Sequence, residues 1–186
     1  MTHHRKIVLI TKKLMALSPV CPSREIIKKA IENHSKLEIE EDLDERTLLH
    51  SKIIRDADKL DNFRVKKEDI IKAIFPTRVN KKEDMEESLL SNKVYKTVLN
   101  KKCVDIHDRV TPLDFWCCIL AFTFDLNFDV TYKIVKENDY MNILIDRFDY
   151  KDEETKSGEW QVAAESLAWK CQYVLEKISV GFRTFG

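Results

Sequence analysis

The sequence contains very little glycine and proline, and this scarcity argues against a strand-rich fold. Only 3 glycines and 4 prolines occur among its 186 residues. A chain built from strands needs many more of these residues for its tight turns. Apolar residues also recur at helical spacing along most of the chain. We therefore predict an all-α fold with long helices and short connections.

An excess of charge is lacking as well, since basic and acidic residues both number 32. A balanced chain has no general electrostatic attraction for nucleic acid or for a membrane surface. The longest apolar run, residues 115–124, is too short to span a bilayer. No signal peptide is recognisable at the N-terminus. We expect a cytoplasmic protein whose partners include neither a nucleic acid duplex nor a membrane.

Cysteine pairs with the spacing of metal ligands are absent. The chain has five cysteines and no Cys-x-x-Cys motif. Cys117 and Cys118 lie inside an apolar run, where free cysteine behaves as a small hydrophobic residue. We interpret all five as reduced thiols in a reducing compartment rather than as zinc ligands.

Apolar spacing and start and stop signals place helices along the chain. They are predicted at about residues 5–17, 24–34, 45–62, 66–75, 88–99, 112–125, 130–148 and 159–178. The acidic stretch 35–44 should form a loop, and the charged stretch 81–86 a mobile connection. We expect one helical domain over residues 1–150. Residues 151–186 should form a C-terminal helix that packs on it or serves an interface.

The helix predicted over residues 45–62 carries three aspartates, Asp56, Asp58 and Asp61. We predict that its buried apolar face consists of Leu49, Ile53, Ala57 and Leu60. Asp58 then lies at the margin of this face and Asp56 on the other side. A carboxylate at such a margin can reach a pocket, where a cation offsets its desolvation. The ordinary alternative is a solvated helix laced by pairs such as Lys52 with Asp56 and Arg55 with Asp58.

Histidines supply further candidates for a site. His34 follows the second predicted helix, where a histidine usually caps the helix C-terminus. His50 lies on the aspartate helix and is expected at the edge of the core. His3 and His4 stand at the N-terminus, where such pairs are usually frayed.

Taken in order, these residues resemble the HD-domain metal-dependent phosphohydrolases, and a bacterial subgroup of that family in particular. The resemblance covers about residues 4–150 and rests on short runs of sequence. These are Ala-Ile-Glu-Asn-His (30–34), Lys-Ile-Ile-Arg-Asp-Ala-Asp-Lys-Leu-Asp (52–61), Thr-Pro-Leu-Asp-Phe (111–115), Leu-Ala-Phe-Thr-Phe-Asp-Leu-Asn-Phe (120–128) and Lys-Glu-Asn-Asp-Tyr (136–140).

This resemblance implies an HD-domain-like helical bundle that binds a divalent metal ion, whether Mn, Co, Ni, Mg or Fe. The ligands that it implies are Asp58, His34 and His4. His4 is preferred over His3 because Ile7 and Val8 then fall where the family has apolar residues. Arg55 or Lys59 would contact an anionic substrate.

The first metal-binding motif of the family, an adjacent His-Asp pair upstream of the distal aspartate, is missing. The only His-Asp dipeptide is His107-Asp108, which lies downstream in the wrong order. We therefore expect a chain that is N-terminally truncated relative to the family. Truncation would expose apolar surface near residues 5–17 and 49–60 and would favour a homodimer that covers it.

Two functions stay open at the level of sequence. The first is a metal-dependent phosphohydrolase acting on a small phosphorylated substrate or a nucleotide, inactive in this form if the missing motif is essential. The alternative is a non-catalytic helical module that binds a partner. Whether the chain is an enzyme is therefore left open, and the substrate cannot be read from the sequence.

Overall fold

The computed structural model describes residues 24–68, 79 and 81–149, and in these residues the chain is all-α, without strands. The described helices are α1 Arg24–Asn33, α2 Glu45–Glu68, α3 Lys82–Glu86, α4 Asn92–Leu99, α5 Pro112–Ala121, α6 Asp129–Glu137 and α7 Tyr140–Ile145. Short 3₁₀ helices occupy Ile106–Asp108 and Phe122–Asp125. None of the described helices is long and apolar enough to cross a membrane. The helices predicted over residues 5–17 and 159–178 lie outside the described residues, as does most of 66–75.

The chain divides into two compact units, residues 1–55 and residues 56–186. In the first unit, α1 is followed by the predicted loop over residues 35–44, which the structure confirms. The Asn33 side chain closes this loop, since its Nδ2 donates to the Lys29 carbonyl at 2.9 Å and its Oδ1 accepts from the Glu40 backbone N–H at 2.9 Å. Asp44 then caps α2 by accepting from the Thr47 backbone N–H at 3.0 Å.

The second unit contains the hydrophobic core, which is built around α5. The α5 helix contacts α3, α4 and α7, and its Trp116 side chain is fully buried. The indole Nε1 of Trp116 donates to the Leu144 carbonyl at 3.2 Å, and its ring meets Phe148 edge-on with centroids 5.0 Å apart. A buried indole therefore has both its apolar and its polar contacts satisfied.

The start of α5 confirms the prediction made from Thr111 and Pro112. Thr111 is the N-cap, proline follows in the first turn, and the Thr111 and Asp114 side chains form a reciprocal capping box. Asp114 is fully buried and also accepts from the Ser91 N–H at 2.9 Å and the Val110 N–H at 3.0 Å. One carboxylate thus joins the start of α5 to the loop before α4.

Two predicted segments differ from the structure. The single helix predicted over residues 130–148 is wrong, because the chain forms α6 and α7 with a break at Asp139, whose φ is 52°. Aspartate tolerates this left-handed conformation better than most residues. The mobile connection predicted over residues 81–86 is also wrong. Its residues form α3, because Met85 is fully buried in the core and Glu86 is buried beside Lys82 at 2.7 Å.

The predicted buried face of α2 is wrong as well. Leu49 and Ile53 are each 46% exposed and Ala57 is exposed, whereas Leu60 packs against the core. The buried positions of the helix are mostly polar: Thr47, Ser51, Arg55, Asp56, Lys59 and Phe63. Exposure at positions 49 and 53 confirms the expectation of apolar surface near residues 49–60, and its counterpart at residues 5–17 lies outside the described residues.

Candidate functional site

Three charged residues of the run over residues 52–61 are buried. Arg55 is 2% exposed, Asp56 is 3% exposed and Lys59 is 5% exposed. Burying a charge is costly unless hydrogen bonds or an opposite charge replace the lost water. Each of the three therefore needs specific protein partners.

Arg55, in the first unit, binds the backbone that follows α1. Its Nη1 donates to the carbonyls of Asn33 at 2.9 Å and Lys36 at 2.7 Å, and its Nη2 donates to the carbonyl of Leu37 at 3.1 Å. Carbonyls at and beyond a helix C-terminus lack intrahelical partners, and a guanidinium satisfies several of them at once. Arg55 thereby holds the backbone on both sides of His34.

Asp56, in the second unit, binds the start of α6. Its carboxylate accepts from the Asn127 N–H at 3.0 Å, the Phe128 N–H at 3.1 Å, the Asn127 Nδ2 at 2.8 Å and the Thr131 hydroxyl at 2.7 Å. An anion at a helix N-terminus satisfies unpaired N–H groups and interacts favourably with the helix dipole. Asp56 is therefore an anchor inside the unit rather than the solvated partner of Lys52.

Lys59, also in the second unit, binds the end of the 3₁₀ helix Phe122–Asp125. Its Nζ donates to the Asp125 carbonyl at 2.5 Å and forms an ion pair with the Asp125 carboxylate. The sequence suggested Arg55 and Lys59 as contacts for an anionic substrate. Because both are buried against protein acceptors, the structure gives them a framework role instead.

Asp58, the predicted metal ligand of the second unit, is half-buried. Asn62 Nδ2 lies 3.3 Å from its carboxylate Oδ2 and 2.9 Å from its backbone carbonyl. Asp61, one turn further along, has a side chain that is 36% exposed and pairs with Arg64 at 2.7 Å. Asp58 is thus partly buried, but the apolar face at whose margin it was predicted is itself largely exposed.

His34, the predicted ligand of the first unit, is buried directly after α1. Its Nδ1 lies 2.5 Å from the Ile31 carbonyl oxygen, so Nδ1 carries the proton and donates it. This bond is the expected helix cap, and a backbone carbonyl that holds one ring nitrogen is also usual for a histidine that binds a metal through the other. His50 is half-exposed on α2. His3 and His4 lie outside the described residues.

The chemistry of these side chains fits a hard or borderline divalent ion, because carboxylate and imidazole together suit Mn, Co, Ni and Fe. Within residues 24–68, 79 and 81–149, however, no group of three or more His, Cys, Asp or Glu side chains is arranged to hold a metal. A site with three protein ligands would need a residue outside this range, such as His4. The His107-Asp108 dipeptide adds nothing, since His107 is exposed and Asp108 pairs with Lys93 at 2.5 Å.

Cysteine chemistry does not contribute to the site. Cys103, Cys117 and Cys118 carry thiols, and burial raises the pKa of the Cys117 thiol well above its ordinary value and also raises that of Cys118. Thiols with raised pKa are poor nucleophiles, so these two behave as core residues. Cys21 and Cys171 lie outside the described residues.

The sequence did not reveal several residues that bind the buried charges of α2 or cap α5. Asp125 and Asn127 lie within the run over residues 120–128, yet no local signal distinguishes them, because their partners are on α2. Asp114 could have been found, since Thr-x-x-Asp before an apolar run is a capping-box signal.

No family model matches this sequence, and the comparisons with curated proteins and with solved structures find no match either.

Proposed function

We propose that this chain is an HD-domain-like helical domain that acts as a metal-dependent phosphohydrolase, with a small phosphate ester or nucleotide as substrate. The observation that supports the proposal is that, within each unit, buried charges of the 52–61 run bind another of the runs on which the resemblance rests. In the first unit Arg55 binds the end of the 30–34 run, and in the second unit Asp56 and Lys59 bind the 120–128 run.

The ordinary reading of the aspartate helix does not account for these contacts. A solvated helix would pair its charges with neighbours three or four residues away. Lys59 instead reaches an acceptor 66 residues away and Asp56 reaches one 75 residues away. Buried charges with long-range partners impose one specific arrangement of helices, which a chemical site requires and a solvated surface does not.

The metal ligands that we propose are Asp58, His34 and His4. A divalent ion bound by them would lower the pKa of a bound water and polarise a phosphoryl oxygen. The chain's own residues contribute positioning: the Ile31 carbonyl orients the His34 ring, and Asn62 contacts the Asp58 carboxylate. Arg55 holds the backbone around His34 within the first unit, and Asp56 and Lys59 hold the part of α2 that carries Asp58 within the second unit.

Hydrolysis of p-nitrophenyl phosphate, bis-p-nitrophenyl phosphate and nucleoside monophosphates by the full chain, with Mn, Co or Ni added, tests this function. We expect metal-dependent turnover that Asp58→Asn reduces by about a hundredfold or more, because a ligand is lost. Asp61→Asn is the matched control and should retain turnover. Absence of turnover of every ester, or equal loss in both variants, would contradict the catalytic proposal.

A second function, a non-catalytic helical binding module, is favoured by the exposed apolar pair Leu49 and Ile53 on α2. Under this alternative, Asp58→Ala would change only the stability of the chain. Stoichiometric metal that disappears in Asp58→Ala would exclude it.

A further inference from the structure

The α2 helix is inverted within the first unit, because its polar side is buried and its aliphatic side faces outward. Leu49 and Ile53 are each 46% exposed on successive turns, whereas Ser51 is fully buried and Arg55 is nearly so. Residues four apart lie on one face of a helix, so the two aliphatic side chains form a continuous strip, which we call the Leu49–Ile53 face. Two adjacent exposed aliphatic side chains make this strip a candidate contact surface.

One end of the Leu49–Ile53 face is strongly acidic. The eight residues 38–45 lead into α2, and six of them carry carboxylates: Glu38, Glu40, Glu41, Asp42, Asp44 and Glu45. Within the part of the chain that the structure describes, Glu40 is the one of these that pairs with lysines, namely Lys29 at 2.6 Å and Lys36. The side chains of Glu38, Glu41, Asp42 and Glu45 are exposed. A complementary occupant of this face would therefore be an amphipathic segment with basic residues.

The chain itself contains a segment of this chemistry. Residues 1–23 carry four basic residues, Arg5, Lys6, Lys12 and Lys13, and no Asp or Glu. The same stretch has apolar residues near helical spacing at Ile7, Leu9, Ile10, Leu14 and Leu17. Only six residues, 18–23, separate residues 5–17 from α1 in the sequence, so the segment is tethered to the first unit by a short connection.

We propose that residues 5–17 dock as an amphipathic helix on the Leu49–Ile53 face, with their basic side chains toward the acidic residues 38–45. Docking within one chain avoids most of the entropy cost that a separate partner pays on association. A second copy of the chain would have to pay that cost. The inference concerns this surface alone and does not rest on the proposed function.

Charge reversal tests the electrostatic part of the proposal in the full chain. Lys12→Glu with Lys13→Glu should lower Tm by about 2 °C or more at low salt, and salt should reduce the difference. Lys96→Glu with Lys102→Glu, at exposed positions of the second unit, is the matched control and should change Tm less. Equal effects of the two double variants would contradict the proposal.

Photo-crosslinking identifies the occupant directly. A p-benzoylphenylalanine replaces Ile53 in the full chain, and an equal mixture of ¹⁵N-labelled and unlabelled protein is irradiated. A parallel sample carries the probe at Leu89, which is 55% exposed in the second unit. We expect a crosslink from position 53 to residues 5–17 of the same chain and none from position 89 to that segment. Crosslinks between labelled and unlabelled chains, or none to residues 5–17, would overturn the proposal.

Discussion

Asp56 shows how much a single buried side chain contributes to this fold. Its carboxylate accepts hydrogen bonds from three residues at the start of α6. Asp56→Ala would leave several buried donors without an acceptor, and we expect it to lower the free energy of unfolding by about 3 kcal/mol. Urea unfolding measures this loss. Asp61→Ala, on the surface of the same helix, should cost no more than about 1 kcal/mol, and equal losses would contradict the assigned role of Asp56.

Glu40 makes the first unit sensitive to acid. Hydrogen bonds from Lys29 and Lys36 lower the pKa of Glu40 from 4.5 to about 2. A carboxyl whose pKa is lower in the folded chain binds fewer protons there than in the unfolded chain. Its stabilisation is therefore complete above pH 4.5 and is lost as the pH falls toward 2.

The expected result is a pH-dependent difference between the wild type and Glu40→Gln. The wild type should be the more stable protein near neutral pH, and the difference should shrink as the pH falls through the window set by the two pKa values. Urea unfolding across this range measures it, and Glu41→Gln controls for the change in net charge. A difference that is independent of pH would contradict the role of Glu40.

At the scale of single residues, the sequence predicted Asp58 and His34 as candidates but not the buried roles of Arg55, Asp56 and Lys59. The prediction assumed that the apolar side of α2 is its buried side. The assumption fails for α2, because polar side chains that are fully hydrogen-bonded can be buried at little cost in free energy. The partners that make this possible, such as Asn127 and the Asp125 carbonyl, are far away in sequence and leave no local signal.

At the scale of elements, the α5 helix depends on its N-terminal cap. Thr111→Ala should lower the free energy of unfolding by about 1 kcal/mol, the usual cost of losing a cap. Asp114→Ala should cost more, about 3 kcal/mol, because the buried carboxylate also serves the N–H groups of Ser91 and Val110. Chemical denaturation of both variants measures these losses, and the reverse order would contradict the role of Asp114.

Helix starts that carry a cap signal were predicted well, whereas α4, predicted from residue 88, begins at Asn92. Thr111 followed by Pro112 marks the start of α5 chemically, and Asp44 caps α2 at its predicted start. The ends depend on tertiary packing instead. α2 continues to Glu68, beyond its predicted end, and the break at Asp139 interrupts an apolar pattern that looked continuous.

At the scale of the whole molecule, the scarcity of glycine and proline predicted an all-α fold, which the described residues confirm. The arrangement of the helices could not be predicted, because it depends on buried polar contacts between residues such as Asp56 and Thr131, 75 positions apart. Within the second unit, Asp56 and Lys59 join the runs over residues 52–61 and 120–128, on which part of the resemblance to metal-dependent phosphohydrolases rests. The proposed metal site depends most on the claim that Asp58, which lies between these two buried residues, is a ligand.

Elemental analysis of the full chain after equilibration with Mn or Ni and removal of excess metal tests this claim most directly. We expect about one equivalent of metal in the wild type and in Asp61→Ala, and none above background in Asp58→Ala, with Asp58→Ala still folded by circular dichroism. Equal metal content in the two variants, or no metal in the wild type, would contradict the claim.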